Sequence, residues 1–509
     1  MQDTTSSNKR IAKNTLMLYL RMFVLMLISF YTSRVILQTL GETDFGTYNI
    51  VGGTVVLFTI ITGALSSGTQ RHISYELGKK DGNVSKVFSA CFKVHVCFAL
   101  LIVILAETIG VWFVNTQLNL PDGRMDAANW VFQYSVITCA ISIIRVPYSA
   151  NIVAHERMSF YAVQGILEGI LKLIIVFCLT LAEFDKLIFY AFLQSLVVLL
   201  ISAINIIYCK LSFKNIKIVS VKDRLLYKKI ISFSNWTIFG SIANVARSQG
   251  INIILNIFYG VSINAALGIA AQITGATNQF VSGFQQAFNP QITKLEASKD
   301  KTTQTTLIYR TSKFSFLILL FVAAPILLNM EFILSFWLGK YPSHTEGLCL
   351  WIITATLVDA LSGPLWMSIF ATGKIKTYQI IISCVILLNL PFTYFCGIMK
   401  WNPEFAFALQ VFVNVLAVIT RLLFLKKLIG LSIFNYTQKV LVPILVVSSL
   451  VGGSIFMIKN LSPTTDNLIT FIIQSTSLII IEIITILYIG LSKHERSTIY
   501  DKISSKLIK

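Results

Sequence analysis

Fourteen stretches of some twenty mostly apolar residues follow one another from Asn14 to Leu491, with no soluble insertion between them. A helix needs about 20 such residues to cross the hydrocarbon core of a bilayer. Within lipid only helices and closed barrels satisfy every backbone polar group. These runs lack the apolar–polar alternation of barrel strands, so they are expected to be spanning helices. The first six cover about 14–37, 48–70, 87–106, 129–150, 158–181 and 187–209. The next six are 231–258, 262–288, 309–329, 348–371, 377–398 and 404–425, and two more follow at 438–457 and 467–491. The first follows Lys9, Arg10 and Lys13, exceeds a signal-peptide core in length and lacks a small-residue cleavage site, so it is expected to be retained as a span.

Charge placement sets the topology. Only 13% of residues are charged and 55% are hydrophobic, against about 25% charged in soluble domains; mean hydropathy is +0.74. With the N-terminus in the cytoplasm and fourteen crossings, the inner segments hold 31 Lys and Arg and the outer segments 5. One missed or added span would invert every later loop and destroy that asymmetry, so both termini are expected inside. The net charge of +19 is thereby a membrane signature. The most basic loop, Lys210–Lys229, carries no nucleic-acid motif, and no nucleic-acid partner is expected. The eight cysteines sit in or at the ends of apolar runs, and the five histidines are scattered, so neither a disulfide framework nor a metal site is expected.

A weak internal repeat relates the halves. At a shift of 219 residues Gly41 matches Gly260, Ile50 matches Ile269, Ile73 matches Ile292, Lys80 matches Lys299 and Asp81 matches Asp300. An even number of spans separates the copies, so they share an orientation. The expected organisation is all-α: a six-span N-lobe over 1–209, a basic cytoplasmic loop over 210–229 and a six-span C-lobe over 230–428. Two extra spans and a cytoplasmic tail occupy 429–509. Loop 210–229 is expected either on the anionic inner membrane surface or as a solvated linker.

LGETDFGTYNI at 40–50, GTQRHISYELGKKDG at 68–82 and AFNPQITKLEASKD at 287–300 carry a resemblance over about residues 10–430. The chain resembles the polysaccharide-transporter branch, including the O-antigen (Wzx-type) flippases, of the multidrug/oligosaccharidyl-lipid/polysaccharide exporter superfamily. The resemblance implies a V-shaped core of two six-helix lobes, alternating access, and outward movement of an undecaprenyl-pyrophosphate-linked oligosaccharide for surface polysaccharide or lipopolysaccharide biosynthesis. It implies a multi-pass protein of the bacterial cytoplasmic (inner) membrane. Its partners would be that lipid-linked substrate, membrane lipids and the polysaccharide polymerase or chain-length machinery. No cofactor is expected beyond H+ or Na+ coupling.

Ionisable residues within spans are costly and so are candidates for function. Arg34, Lys93 and Arg145 lie close enough to helix ends to snorkel. Arg247 and Lys172 lie about halfway along their runs and Arg21 about two turns in, which suits an anion such as pyrophosphate. Glu168 and Lys172, four apart, could instead neutralise one another. Gly268, Gln272, Gly275, Gln279, Gly283 and Gln286 share one face of the eighth run. That face would either pack closely through its glycines or line a cavity that hydrogen-bonds sugar hydroxyls, with Asn244 and Arg247 facing the same space. Asp359 and Glu482, deep in the tenth and fourteenth runs, are candidates for ion coupling or for pairing with cations. Prolines 147, 325, 364, 391 and 443 are expected kinks.

Two rivals remain at this point. A cation-coupled multidrug exporter of the same superfamily would want acidic groups in the N-lobe, whereas its deep groups are mainly basic. A membrane polymerase or ligase would want a long outer loop with an acid–base set, and the longest outer stretch, about 107–128, lacks one. No Gly-Lys-Ser/Thr phosphate loop exists for ATP hydrolysis.

Overall fold

A computed structural model describes residues 14–497, apart from 15, 26, 29–30, 33–34, 37–38, 41–43, 45–47, 49–50, 52–58, 80, 117–122, 214–216, 462–466 and 494. Arg34, Gly41, Ile50 and Lys80 therefore lie outside the described residues. Each of the fourteen apolar runs contains a helix. They are α1 (Leu16–Leu25), α2 (Thr59–Leu77), α3 (Val84–Thr116), α4 (Met125–Ala154), α5 (Met158–Thr180) and α6 (Lys186–Ser212). The order continues with α7 (Arg224–Tyr259), α8 (Val261–Ala297), α9 (Lys301–Leu328) and a short α10 (Met330–Leu338). The remainder are α11 (Thr345–Ala360), α12 (Ser362–Thr372), α13 (Lys376–Ile398), α14 (Glu404–Ile429), α15 (Ile433–Leu461) and α16 (Leu468–Gly490). Among the described residues nine helices are long and apolar enough to cross a membrane, and α11 with α12 makes a tenth, bent by 41°.

The helices gather into two compact units, residues 1–242 with 287–299 and residues 243–286 with 300–509. The division falls inside α7 and α8 because these helices, 36 and 37 residues long, would each extend some 54 Å, well beyond an ~30 Å hydrocarbon core. In unit 1, α4 packs on α6, α2 and α3. Val131, Phe132, Ile143 and Leu187 are buried together at the centre of that contact. In unit 2, α14 packs on α11, α12 and α13, while α15 and α16 lie against α9. The dominant helix pair in each unit thus joins the fourth and sixth runs of its half, and the repeat-related Ile73 and Ile292 are both fully buried. Large apolar side chains remain exposed along the outer surfaces, among them Leu100, Ile104, Phe177, Leu423, Phe456 and Ile473. Contiguous apolar surface of that kind suits lipid and not water.

Local chemistry explains the ends and the bend. Asn83, Asp185 and Asp300 each accept a backbone N–H in the first turn of α3, α6 and α9, the usual role of an N-cap side chain. The bend between α11 and α12 sits beside Pro364, which has no N–H to offer the carbonyl of Ala360. Gln285 Nε2 of α8 takes that carbonyl at 3.2 Å, and Gly363 leaves room for the amide, since a Cβ there would meet Gln285 Nε2 at 2.1 Å.

The motifs singled out in the sequence are structural. Asp44 of LGETDFG pairs with Arg124, whose other nitrogen pairs with Asp185 at 2.6 Å. Gly78, near the end of α2, packs on the last turn of α8, where a Cβ would meet the Lys294 carbonyl at 2.4 Å and the Ala297 Cβ at 2.8 Å. Lys294 in turn pairs with Glu156 at 2.7 Å. The basic loop is not a free linker: Ser89 Oγ donates to the Lys217 carbonyl and accepts from Val219 N, and Lys86 pairs with Asp223 at 2.8 Å.

Candidate functional site

Unit 1 holds a cluster of charge in the middle of its helices. On α5, Tyr161, Gly165, Glu168 and Lys172 follow at steps of four, three and four and so share a face. The Arg21 guanidinium of α1 lies 4.6 Å from the centre of the Tyr161 ring. It rests against Gly165, where a Cβ would come within 2.1 Å of Arg21 Nε. Glu168 accepts from Lys172 Nζ at 2.9 Å and lies 3.8 Å from Arg145 NH1 of α4; Arg21 also acts on it electrostatically. Three cations therefore surround one carboxylate and leave a net charge of +2. Arg21 Nε and Arg145 NH1 are buried and have no hydrogen-bond acceptor among the described residues. An unpaired buried donor is costly, and an anion would supply the missing acceptors.

Unit 2 repeats the excess. Asp359, at the end of α11, has its side chain 60% exposed and lies 3.7 Å from Arg421 NH1 of α14. Arg421 is buried and also donates to Tyr378 and Ser362. It lies inside the bundle, eight residues before the end of α14. Arg247, half-buried on α7, interacts with Asp359, and its Nε is a buried donor with no acceptor among the described residues. Two arginines thus face one carboxylate. Asn244 is exposed one turn before Arg247.

The polar stripe of α8 faces open space. Gly268, Gln272, Gly275 and Gln279 are exposed and Gln286 is half-buried; among the described residues a Cβ at Gly268 or Gly275 would meet nothing within 4 Å. The exposed positions between 268 and 282 are Gly, Ala, Gln, Asn and Ser only, while Ile263, Ala266, Ala270 and Val281 are buried on the other side. Among the described residues nothing packs on the glycines at 268 and 275, and amides facing lipid would be unsatisfied. Glu482 of α16 stands apart: it is fully buried, and among the described residues neither carboxylate oxygen has a hydrogen-bond partner.

The structure brings Arg21 and Lys172 to one carboxylate and Arg247 to Asp359. It adds Tyr161, Gly165, Arg421 and Gln285, which sequence reading passed over, and Arg145, read there only as a snorkelling cation. The four-three-four spacing on α5 was a readable signal for Tyr161 and Gly165; Arg145 reaches Glu168 from another helix and left none.

Residues 11–296 match the family described as polysaccharide biosynthesis protein. No curated protein matches the chain in sequence. Among solved structures it is similar to a MATE transporter in complex with MaL6, at 14% identity, TM-score 0.72, covering 83% of this chain and 96% of that one. An outward-facing multidrug resistance MATE family transporter of the MOP superfamily gives 13% identity, TM-score 0.71 and the same coverages. A MOP superfamily transporter from Pyrococcus furiosus Vc1 (DSM3638), whose reversed binding-pocket polarity is said to suggest a different function, gives 14% identity, TM-score 0.68, and again 83% and 96%. These likenesses concern the fold.

Proposed function

The chain belongs to the polysaccharide biosynthesis protein family, and we propose that it is a flippase carrying an undecaprenyl-pyrophosphate-linked oligosaccharide outward across the bacterial cytoplasmic membrane by alternating access. It is a multi-pass membrane protein with a transporter fold. The observation that carries the substrate reading is the excess of cations over carboxylates deep in each unit: Arg21, Arg145 and Lys172 about Glu168, and Arg247 and Arg421 about Asp359. A diphosphate crossing a low-dielectric slab needs fixed positive charge, and arginine forks match its oxygens. The open amide face of α8, through Gln272, Gln279 and Gln286 with Asn244, suits sugar hydroxyls. Asp359 and Glu482 are the acids available for H+ or Na+ coupling. Both termini are assigned to the cytoplasm on the 31-to-5 charge asymmetry.

The exposed carboxylate of Asp359 favours a cation-coupled drug exporter, and its two arginine neighbours oppose it. The test uses full-length protein in liposomes, with a fluorescent polyprenyl-pyrophosphate disaccharide and, separately, ethidium. The disaccharide should cross, with Arg247→Lys retaining part of the rate and Arg247→Ala losing most of it at equal reconstituted protein. Ethidium transport without disaccharide transport would overturn the reading, as would a full rate from Arg247→Ala.

A further inference from the structure

A groove of about 460 Å³ lies in unit 1 between α3 and the first turns of α7, remote in sequence from the charged cluster on α5. Its wall is apolar along Cys97, Phe98, Leu101 and Ile231, and its two polar residues are Lys93 and Tyr227. Leu101 and Ile231 are exposed, as are Lys93 and Cys97, so the groove opens on the outer surface of the helices.

The polarity of the groove runs one way. Lys93 lies nine residues into α3 and Tyr227 three into α7, so both sit toward the helix starts that the charge asymmetry assigns to the cytoplasmic side. Lys228 and Lys229, both exposed, continue the basic end. From Lys93 to Leu101 the apolar wall then rises about 12 Å toward the bilayer centre. Lys93 makes no ion pair among the described residues, although it stands about 13 Å along α3 from its start. Its long stem lets the ammonium reach toward the cytoplasmic interface, where an anionic headgroup would meet it. Charge at the cytoplasmic end and an apolar channel toward the midplane match one amphiphile: an inner-leaflet lipid with an anionic headgroup.

We propose that this groove is a binding site for an anionic phospholipid of the inner leaflet, one acyl chain lying along Cys97, Phe98, Leu101 and Ile231 and its phosphate on Lys93 and Tyr227. The site does not depend on the transported substrate. Its geometry separates it from the general attraction of basic loops to the membrane, because the contact is made by a single cation within the helical region and by a fitted apolar wall.

Native mass spectrometry of the full-length protein, released from nanodiscs of mixed phosphatidylglycerol and phosphatidylcholine, reads the retained lipid directly. Wild type should retain phosphatidylglycerol in preference to phosphatidylcholine. Lys93→Gln should lower its retention about fivefold, the effect of one basic contact at a membrane surface, and Lys93→Arg should restore it. Cys97→Trp, which fills an exposed stretch of the wall, should lower retention with the charge intact. Excess inorganic phosphate should not displace the lipid, since it lacks the chain. Equal retention of both phospholipids, unchanged retention in Lys93→Gln, displacement by inorganic phosphate, or retention of an added polyprenyl phosphate in place of phosphatidylglycerol would each overturn the proposal.

Discussion

Gly165→Ala moves Arg21 without changing a single charge. The added methyl would stand 2.1 Å from Arg21 Nε and 2.9 Å from its Cζ and Cδ, whereas ordinary contact between such atoms needs roughly 3.5–4 Å. The guanidinium must therefore shift by more than about 1 Å, and it is the end of a flexible side chain, so the helices need not. The shift removes it from the Tyr161 ring, a contact worth roughly 1–2 kcal/mol when partly desolvated, or a five- to thirty-fold loss of the seated arrangement. Transport of the pyrophosphate-linked disaccharide in liposomes should fall by about that factor, while the amount of folded protein stays near wild type. Gly169→Ala is the control: its methyl would meet Leu25 Cδ2 at 2.6 Å on the same pair of helices, a similar crowding with no cation involved. A full rate from Gly165→Ala, together with a full rate from Arg21→Ala, would refute the argument that this guanidinium holds the substrate. An equal loss in Gly169→Ala would show that the effect is crowding alone.

Glu168→Gln leaves Arg21, Arg145 and Lys172 without their carboxylate; membrane accumulation should drop, by less than the roughly 3–5 kcal/mol of a fully buried broken pair because Lys172 is 43% exposed, and pairing it with Lys172→Met should recover part of the yield in a fluorescence-tag assay. Gln285→Leu strips the Ala360 carbonyl of its donor and should cost about 1–3 kcal/mol in SDS unfolding, whereas Gln272→Leu and Gln279→Leu should leave unfolding unchanged and slow transport; the reverse pattern would assign the stripe to packing. Asp300→Ala should cost about 1 kcal/mol as a lost cap. Hydrogen bonds from Thr303, side chain and backbone, hold the Asp300 carboxyl below its ordinary 3.8, so the wild-type advantage should be complete above pH 3.8 and fall as pH drops through the depressed value; no wild-type advantage at pH 7 would contradict the capping role.

Much of this architecture was legible because a bilayer reads one property, the length of an apolar run. The pair Glu168–Lys172 was legible for a similar reason, since a spacing of four fixes neighbours on a helix and the structure joins them at 2.9 Å. What sequence could not disclose depends on a second helix. Arg145 was read as a snorkelling cation, yet it lies 3.8 Å from Glu168. Arg421 stands two turns from its helix end, and only a second helix shows that Tyr378, Ser362 and Asp359 hold it inside. The glycines of α8 left packing and cavity both open, and among the described residues no side chain lies within 4 Å of where a Cβ at Gly268 or Gly275 would stand. Gln285 resembled its neighbours in the stripe, and its task arises from a proline 79 positions further along. The basic loop was read as surface-bound or solvated, and two serine hydroxyls on α3 instead fasten it.

The seat of Gly78 against the last turn of α8 bears on how such chains diverge. Any larger residue at 78 would run into the Lys294 backbone, which has no rotamer to yield, and into the Ala297 methyl. Substitution at 78 is therefore admissible only in a lineage where the turn at 294–297 has already moved away. Two segments more than two hundred positions apart are held to a shared history by a clearance smaller than one methyl group. Among descendants of a common ancestor, drift should be fastest on the lipid-facing surfaces and slowest at this junction, so short and loosely spelled signatures at 68–82 and 287–300 would outlast the overall identity that ordinarily marks kinship.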